Sequence, residues 1–417
     1  MDVMYPRCAG LDVHKKTVVA AVRIAAGGKV TTEVRTFETM TGDLIALAEW
    51  LDQQGVTHVA MEATGVYWKP VWHILSTAGK CTLVLANALH VKAVPGRKRD
   101  VSDAVWIADL QAHGLIRSSF VPPREVAELR GLMRTRKQFI RERTAHVQRI
   151  QKTLEESNIK LDSVISDIIG QSGRAMLEAI IGGETDPARL AGLASPRIKA
   201  SRETLIKALD GRATETHRFT LRLHLDQVDA IGRSVAAIDR HVESNLDPFR
   251  GALEQIVSMP GMAEPSTRAV LGETGTDMSR FPTEGQFLSW SCMVPRNDES
   301  AGKRRSTQMR PGGNFLKTTM VQCAWAAIRT KDCFFKPMFE RIAKRRGAKR
   351  AICAVAAEML RIIYHMLKDG TFYVERAVSQ PQPNPAAETK RLVKRLARLG
   401  HHVKLTPNCT LAAQSTG

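Results

Sequence analysis

The sequence predicts an α/β domain followed by a mainly α-helical region. Three observations predict this. Up to Pro122, short β-branched runs alternate with amphipathic helical patterns. Beyond that point, two apolar heptad runs read as long helices. Between the two regimes Pro122-Pro123 breaks both patterns, as a domain boundary does.

Residues 8–37 read as three strands, CAGLDV, TVVAAVRI and KVTTEVRTF, with Gly27-Gly28 turning the second into the third. Thr41 to Gln54 reads as a helix, because Leu44, Leu47, Ala48 and Leu51 share one face. HVAMEA (58–63) is a buried strand, Tyr67 to Ala78 a helix starting near Pro70, and CTLVLAN the next strand. Ser102 to His113 completes the set as a helix with Ala104, Ile107 and Leu110 apolar. The order βββαβαβα is that of a ribonuclease H-like core.

From Val126, the residues Leu129, Met133, Ile140, Val147, Ile150 and Leu154 follow steps of 3, 4 and 7. Arg130, Arg134, Arg136, Lys137, Arg141, Arg143, Arg149 and Lys152 occupy the other faces. These can grip a nucleic-acid backbone or be a solvated coiled-coil face. Val228, Ile231, Val235, Ile238 and Val242 form the second run, which stops near Asp247-Pro248. The two helices can pair as a hairpin or join a second subunit. Short helices and glycine turns are expected over 162–212, and a compact helical domain over 252–375. The organisation is therefore 1–122, a helical linker and dimerisation region 123–250, a domain 251–375, and a tail 376–417. SQPQPNPAAE marks that tail as a disordered basic segment, interrupted by a short basic helix over Lys390 to Leu399.

Composition narrows the function. Among 417 residues, Lys+Arg number 61 against Asp+Glu 42, a formal charge of +19. A polyanion partner, usually nucleic acid, suits such a chain. From Met1 to Pro122 there are 13 basic and 11 acidic residues; from Ala301 to Arg350 only Asp332 and Glu340 oppose 14 basic ones. No apolar stretch reaches the roughly 18 residues of a membrane span, and MDVMYPRCAG lacks the apolar core of a signal peptide. The seven cysteines are scattered, with no CxxC, which predicts reduced thiols in a cytoplasmic protein.

Four carboxylates stand out in the first domain. Asp12 lies in GLDVHKK, Glu62 ends the fourth strand in MEATGVYWKP, and Asp100 and Asp103 start the last helix in KRDVSDAVWIADL. A spacing of three puts Asp100 and Asp103 on one helix face, while Asp109 turns to another. In a ribonuclease H-like core these segments converge. Clustered carboxylates suit hard cations, and a pair of such ions activates chemistry at a phosphodiester. Read as structure alone, the acids are helix caps and surface charges, with Asp100 an N-cap candidate. Asp12 is the strongest oddity, because a carboxylate inside an apolar strand needs a partner. His14 shares its face but suits magnesium poorly. Tyr67, Trp68 and Trp72 have the spacing of core residues.

These segments resemble the DEDD transposases of insertion-sequence family 110, which include Piv-type DNA invertases. The resemblance continues through VSMPGMAEPSTRAVLGETGTDMSRFPTEGQFLSWSCMVPRNDESAGKRRSTQMRPGGNFLKTTMVQCAW and covers residues 8 to 373. It implies a RuvC-like N-terminal domain, a coiled-coil linker and a small transposase domain. Carried over by position, Asp12, Glu62, Asp100 and Asp103 form a tetrad for Mg2+ or Mn2+, and Ser300 in VPRNDESAGKRR is the catalytic serine. The family also implies donor and target DNA, a structured bridge RNA whose loops pair with both, a covalent phosphoserine intermediate, and dimers that join into tetramers. Where the family shows PGIG, this chain has PGMA (260–263), which lacks the second glycine.

Read without the family, Ser300 is one hydroxyl among several, since Ser306 and Thr307 compete with it. Lys303, Arg304, Arg305 and Arg310 give it a phosphate-binding context, and Gly302 gives it flexibility. A hydroxyl is a poor nucleophile at neutral pH without a metal or base, so the tetrad and Ser300 belong together. The expectation is an insertion-sequence recombinase guided by RNA, acting near the nucleoid. The alternatives are a metal-only RuvC-like endonuclease or junction resolvase, in which water attacks, and a non-catalytic RNA-binding remnant.

Overall fold

The computed structural model describes residues 3–63, 65–87, 91, 102–295, 298–300, 302–306, 308–309, 315–375 and 385–405; at 298–300, 303–305, 385–388 and 391 it describes the backbone alone. The chain divides into two compact units, Met1–Pro122 and Pro123–Gly417.

The first unit is a five-stranded sheet with helices. Strands β1 (Arg7–Val13), β2 (Thr17–Ala26) and β3 (Lys29–Glu38) precede α1 (Thr41–Gln53); β4 (His58–Glu62), α2 (Trp68–Ala78), β5 (Thr82–Ala86) and α3 (Asp103–Ala112) follow. Among the described residues these elements follow the expected order βββαβαβα. The strands lie in the order β3-β2-β1-β4-β5. β1–β2 and β2–β3 are antiparallel, whereas β1–β4 and β4–β5 are parallel. Alternation along β1 explains its central place. Ala9, Leu11 and Val13 join a core with α1 and α2 through Leu44, Leu47 and Leu75. On the opposite face small residues dominate: Ala21 packs with Ala104 and Ala108, and Ala60 and Ala86 with Ile107 and Leu110. β3 is almost wholly exposed and carries Lys29, Glu33 and Arg35, the charges that protect an edge strand.

The second unit is built on two long helices, α4 (Arg124–Glu156) and α9 (Glu215–Ser244). They pair as an antiparallel hairpin within one chain. Arg136 grips Asp239 with both nitrogens at 2.6 and 3.0 Å, and His146 meets His224 farther along. Helices α5 (Leu161–Val164), α6 (Gln171–Ile181), α7 (Pro187–Gly192) and α8 (Arg202–Leu209) close one end around Leu154, Met176 and Leu225. At the other end Val126, Leu129, Met133, Val242 and Leu246 enter the same core as residues 253–366, so the regions 123–250 and 251–375 share a core. Mid-helix Ile140 is 40% exposed, so the heptad stripe is covered at its ends and open at its centre.

The remaining elements are α10 (Arg250–Val257), α11 (Glu264–Thr274), α12 (Glu284–Trp290), β6 (Asp298–Ser300), β7 (Lys303–Ser306), α13 (Phe315–Ala327), α14 (Phe335–Arg346), α15 (Ala348–Asp369) and α16 (Pro385–Arg398). The hairpin β6–β7 adds two short strands to a region expected to be a compact helical domain. Helix α16 occupies part of the tail expected to be disordered and begins five residues before Lys390. Among the described residues no helix is long and apolar enough to cross a membrane.

Candidate active site

Strand register puts two of the four acids side by side. Gly10 pairs with Ala60 and Leu11 with Met61 across the parallel strands β1 and β4. Two residues beyond the pair Gly10–Ala60 come Asp12 and Glu62. A period of two places both on the face of Gly10 and Ala60, which is the face covered by α3. Asp12 is 24% exposed, and Glu62 is half-buried. Both sit at the carboxyl ends of their strands, where parallel sheets open to ligands.

The third acid arrives on α3, which runs antiparallel to β1. Cys8 Sγ donates to the Ala108 carbonyl at 3.4 Å, and a Cβ on Gly10 would lie 2.2 Å from the Ala104 oxygen. Following this pairing back along the helix brings its first residue, Asp103, to the level of Asp12. Ser102 caps the helix by accepting from the Val105 amide, so the N-cap is Ser102 and not Asp100. Asp100 itself lies outside the described residues. Asp109 is held elsewhere, by Arg23 at 3.3 Å, as its turn around the helix requires.

His14 Nε2 lies 3.2 Å from Asp12 Oδ2 and is 60% exposed, a surface partner of the carboxylate. Trp68 and Trp72 meet edge to face, with centroids 6.0 Å apart, and pack on the core. Burial pushes the Cys8 thiol up to about 11, which makes it inert. Among the described residues no three Asp, Glu, His or Cys side chains close into a metal cage. The donor chemistry fits a hard cation: Asp12 and Glu62 are neighbouring carboxylates on one face of the sheet, and among the described residues no cationic side chain forms an ion pair with Glu62.

In the second unit Ser300 ends β6 and pairs with Lys303 across a turn containing Gly302 at φ +72°. The serine therefore sits at a hairpin tip rather than in an open loop. Ser306 lies at the far end of the hairpin, opposite Asp298. Thr307 and Arg310 lie outside the described residues. The departure at PGMA has a physical account. Gly261 has φ +81°, and a Cβ there would meet the Ala327 amide and the Cys323 carbonyl at 2.5 Å. Ala263 is extended at φ −123°, which any residue adopts. The turn uses the one glycine it needs.

Two basic residues expected to bind nucleic acid are engaged within the fold. Arg134 forms a bidentate pair with the buried Glu273 at 2.7 and 2.9 Å. Lys137 donates to Thr318 Oγ1 at 2.6 Å and lies over the Phe315 ring, with burial lowering its pKa. Arg130 and Arg136 are similarly spent on the Gly272 carbonyl and on Asp239. Arg141 remains exposed. Sequence spacing missed these partners because they lie 100 residues or more away along the chain.

Two transposase family models match this chain. One, described as a transposase of the DEDD type, covers residues 9–159; the other, of the IS116/IS110/IS902 transposase family, covers 253–337. The chain belongs to the IS110 family of DEDD transposases. A probable family 20 transposase of Pseudomonas aeruginosa is 24% identical over 327 residues, covering 76% of this chain and 85% of the relative. The transposase for insertion sequence element IS1111A of Coxiella burnetii is 24% identical, covering 68% and 70%. An insertion element IS110 protein of Streptomyces coelicolor is 26% identical, covering 68% and 74%. This IS110-family transposase is thus an enzyme of DNA transposition. Its first family match spans Asp12, Glu62 and Asp103, and its second spans Ser300.

Proposed function

We propose that this transposase is a bridge-RNA-guided recombinase that cuts and rejoins donor and target DNA through a serine–DNA ester. The observation that carries the reading is the parallel register setting Asp12 beside Glu62 under the helix that begins at Asp103. Asp12, Glu62, Asp100 and Asp103 would hold Mg2+ or Mn2+ in a RuvC-like domain. Bound there, the ion would supply Lewis-acid stabilisation of charge developing at a phosphodiester. Ser300 Oγ, at its hairpin tip, attacks phosphorus and displaces a deoxyribose oxygen. The phosphoserine ester conserves the bond energy, so a hydroxyl of the second DNA can displace Ser300 and complete rejoining. Lys303, Arg304, Arg305 and Arg310 hold the phosphate through charge-assisted hydrogen bonds, and exposed Arg141 adds backbone contact. The working species is a dimer that joins into a tetramer.

The test is strand exchange by protein purified with its flanking RNA. A discrete RNA mapping beside the gene is expected, along with a protein–DNA adduct that resists denaturant. Asp12→Asn should abolish joining and leave nucleic-acid binding intact. Ser300→Ala should lose the adduct. Magnesium-dependent cleavage without any adduct would instead identify a metal-only endonuclease.

A further inference from the structure

One end of the helical hairpin carries a groove whose character matches a distant segment of the same chain. The groove lies between the first turns of α4 and the last turns of α9, with a volume of about 310 Å³. Leu129, Leu132, Val242 and Phe249 make its apolar floor, and Glu125, Glu128 and Asp247 make an acidic rim. Glu125 has no ion-pair partner among the described residues. Among the described residues, Glu128 and Asp247 form ion pairs only with their neighbours Arg124 at 2.8 Å and Arg250 at 3.0 Å. Such exposed pairs exchange at little cost.

Helix α16 is the complement of this surface. Leu392, Leu396 and Leu399 are 49%, 39% and 67% exposed, and steps of four and three place them on one stripe. Lys390, Lys394, Arg395 and Arg398 are exposed with no ion pair among the described residues, and Glu388 is the helix's one acid. A helix of this length is marginal in water unless its apolar stripe is covered.

The chain is long enough to cover it. Tyr373 donates its amide to Ser258 Oγ at 3.0 Å, and the Phe334 amide donates to Glu375 at 2.8 Å, which fixes residues 373–375 beside the end of α10. The groove residue Phe249 precedes the other end of α10, about 14 Å away along the helix axis. Residues 376–384 span up to ~30 Å when extended.

We infer that α16 docks into this groove of its own molecule, with Leu392, Leu396 and Leu399 on the apolar floor and Lys394, Arg395 and Arg398 against the acidic rim. The contact straps the tail over the joint between the hairpin and the core that follows it. It stands independently of the recombination mechanism.

Hydrogen exchange of the full-length protein tests this, read at amides 129–133 and 241–249. The double variant Leu392→Glu/Leu396→Glu should speed exchange there about tenfold, the change ~1.4 kcal/mol makes in an equilibrium constant. Both substitutions fall on an exposed stripe outside the cores, so folding is not at stake. Glu125→Lys should speed the same amides, and adding Lys394→Glu should restore part of the protection. Unchanged exchange in the leucine variant would overturn the docking. Protection that rises with protein concentration would assign the groove to a second copy and overturn docking within one molecule.

Discussion

Gly10 is where the absence of a side chain does most for the acidic face. An added Cβ would stand 2.2 Å from the Ala104 oxygen and 2.4 Å from the Ala108 nitrogen, both backbone atoms that cannot swing away. Gly10→Ala should therefore push α3 off β1, cost about 1–3 kcal/mol, and draw Asp103 away from Asp12. Urea unfolding reads the first effect and magnesium-dependent strand joining the second; wild-type values of both would mean that α3 is not pinned here. Glu273 is a different case. It is 4% exposed and neutralised by Arg134, with Arg130 binding the adjacent carbonyls. Glu273→Ala removes the buried partner of a pair whose Arg134 side chain is 54% exposed, so solvent screens the loss and the cost should be about 1–2 kcal/mol, with chemical denaturation as the check. Asp12 was visible in the sequence because an acid interrupts an apolar strand. Glu273 was not, because nothing local in α11 distinguishes it from a surface acid.

Among elements, the hairpin of α4 and α9 carries a pH dependence. His146 and His224 face each other with Nδ1 atoms 3.2 Å apart, so one ring donates and the other accepts. Burial lowers the His224 pKa, with His146 and Arg149 pushing the same way. A lowered folded value means that the unfolded chain takes up the proton first. The stability that His224 contributes is therefore present above about pH 6.5 and lost as pH falls through the lower folded value. Urea midpoints at about pH 7.5 and about pH 5.5 should differ, and His224→Gln should narrow the difference; an equal gap in the variant would place the titration elsewhere. Both helices were legible from their heptads: Val126, Leu129, Met133, Ile150 and Leu154 of the first run are buried, as are Val228 and Val242 of the second, whose stripe also extends back to Leu221 and Leu225. Their pairing within one chain was not, since a heptad stripe suits a hairpin and a dimer equally. The β6–β7 hairpin was illegible for another reason. DES and KRRS lack the β-branched and aromatic residues that announce strands, and a glycine turn makes the pairing.

Across the whole molecule, charge follows a division of labour that composition already suggested. Many basic residues of α4 are spent on internal acids, whereas those from α14 into α15 are not. Lys344, Arg345, Arg346, Lys349 and Arg350 are exposed, and none forms an ion pair among the described residues. Lys349 and Arg350 also lie in the first turn of α15, where the helix dipole disfavours cations. Lys344, Arg345 and Arg346 suit the C-terminal end of α14, but Lys349 and Arg350 gain nothing from their place, and a polyanion that supplies the missing negative charge is the natural counterpart of the cluster. If these side chains meet duplex phosphates, each contact should add about −0.9 to the slope of log affinity against log salt. Changing Lys344, Arg345, Arg346 and Arg350 together to glutamine should then flatten that slope by about 3–4 and weaken binding most at low salt, with the unfolding midpoint unchanged. Salt titrations of the full-length protein on duplex DNA and on its flanking RNA measure this directly. A flattened slope on RNA alone would assign the cluster to the guide, and an unaltered slope on both would show that it only solvates the surface.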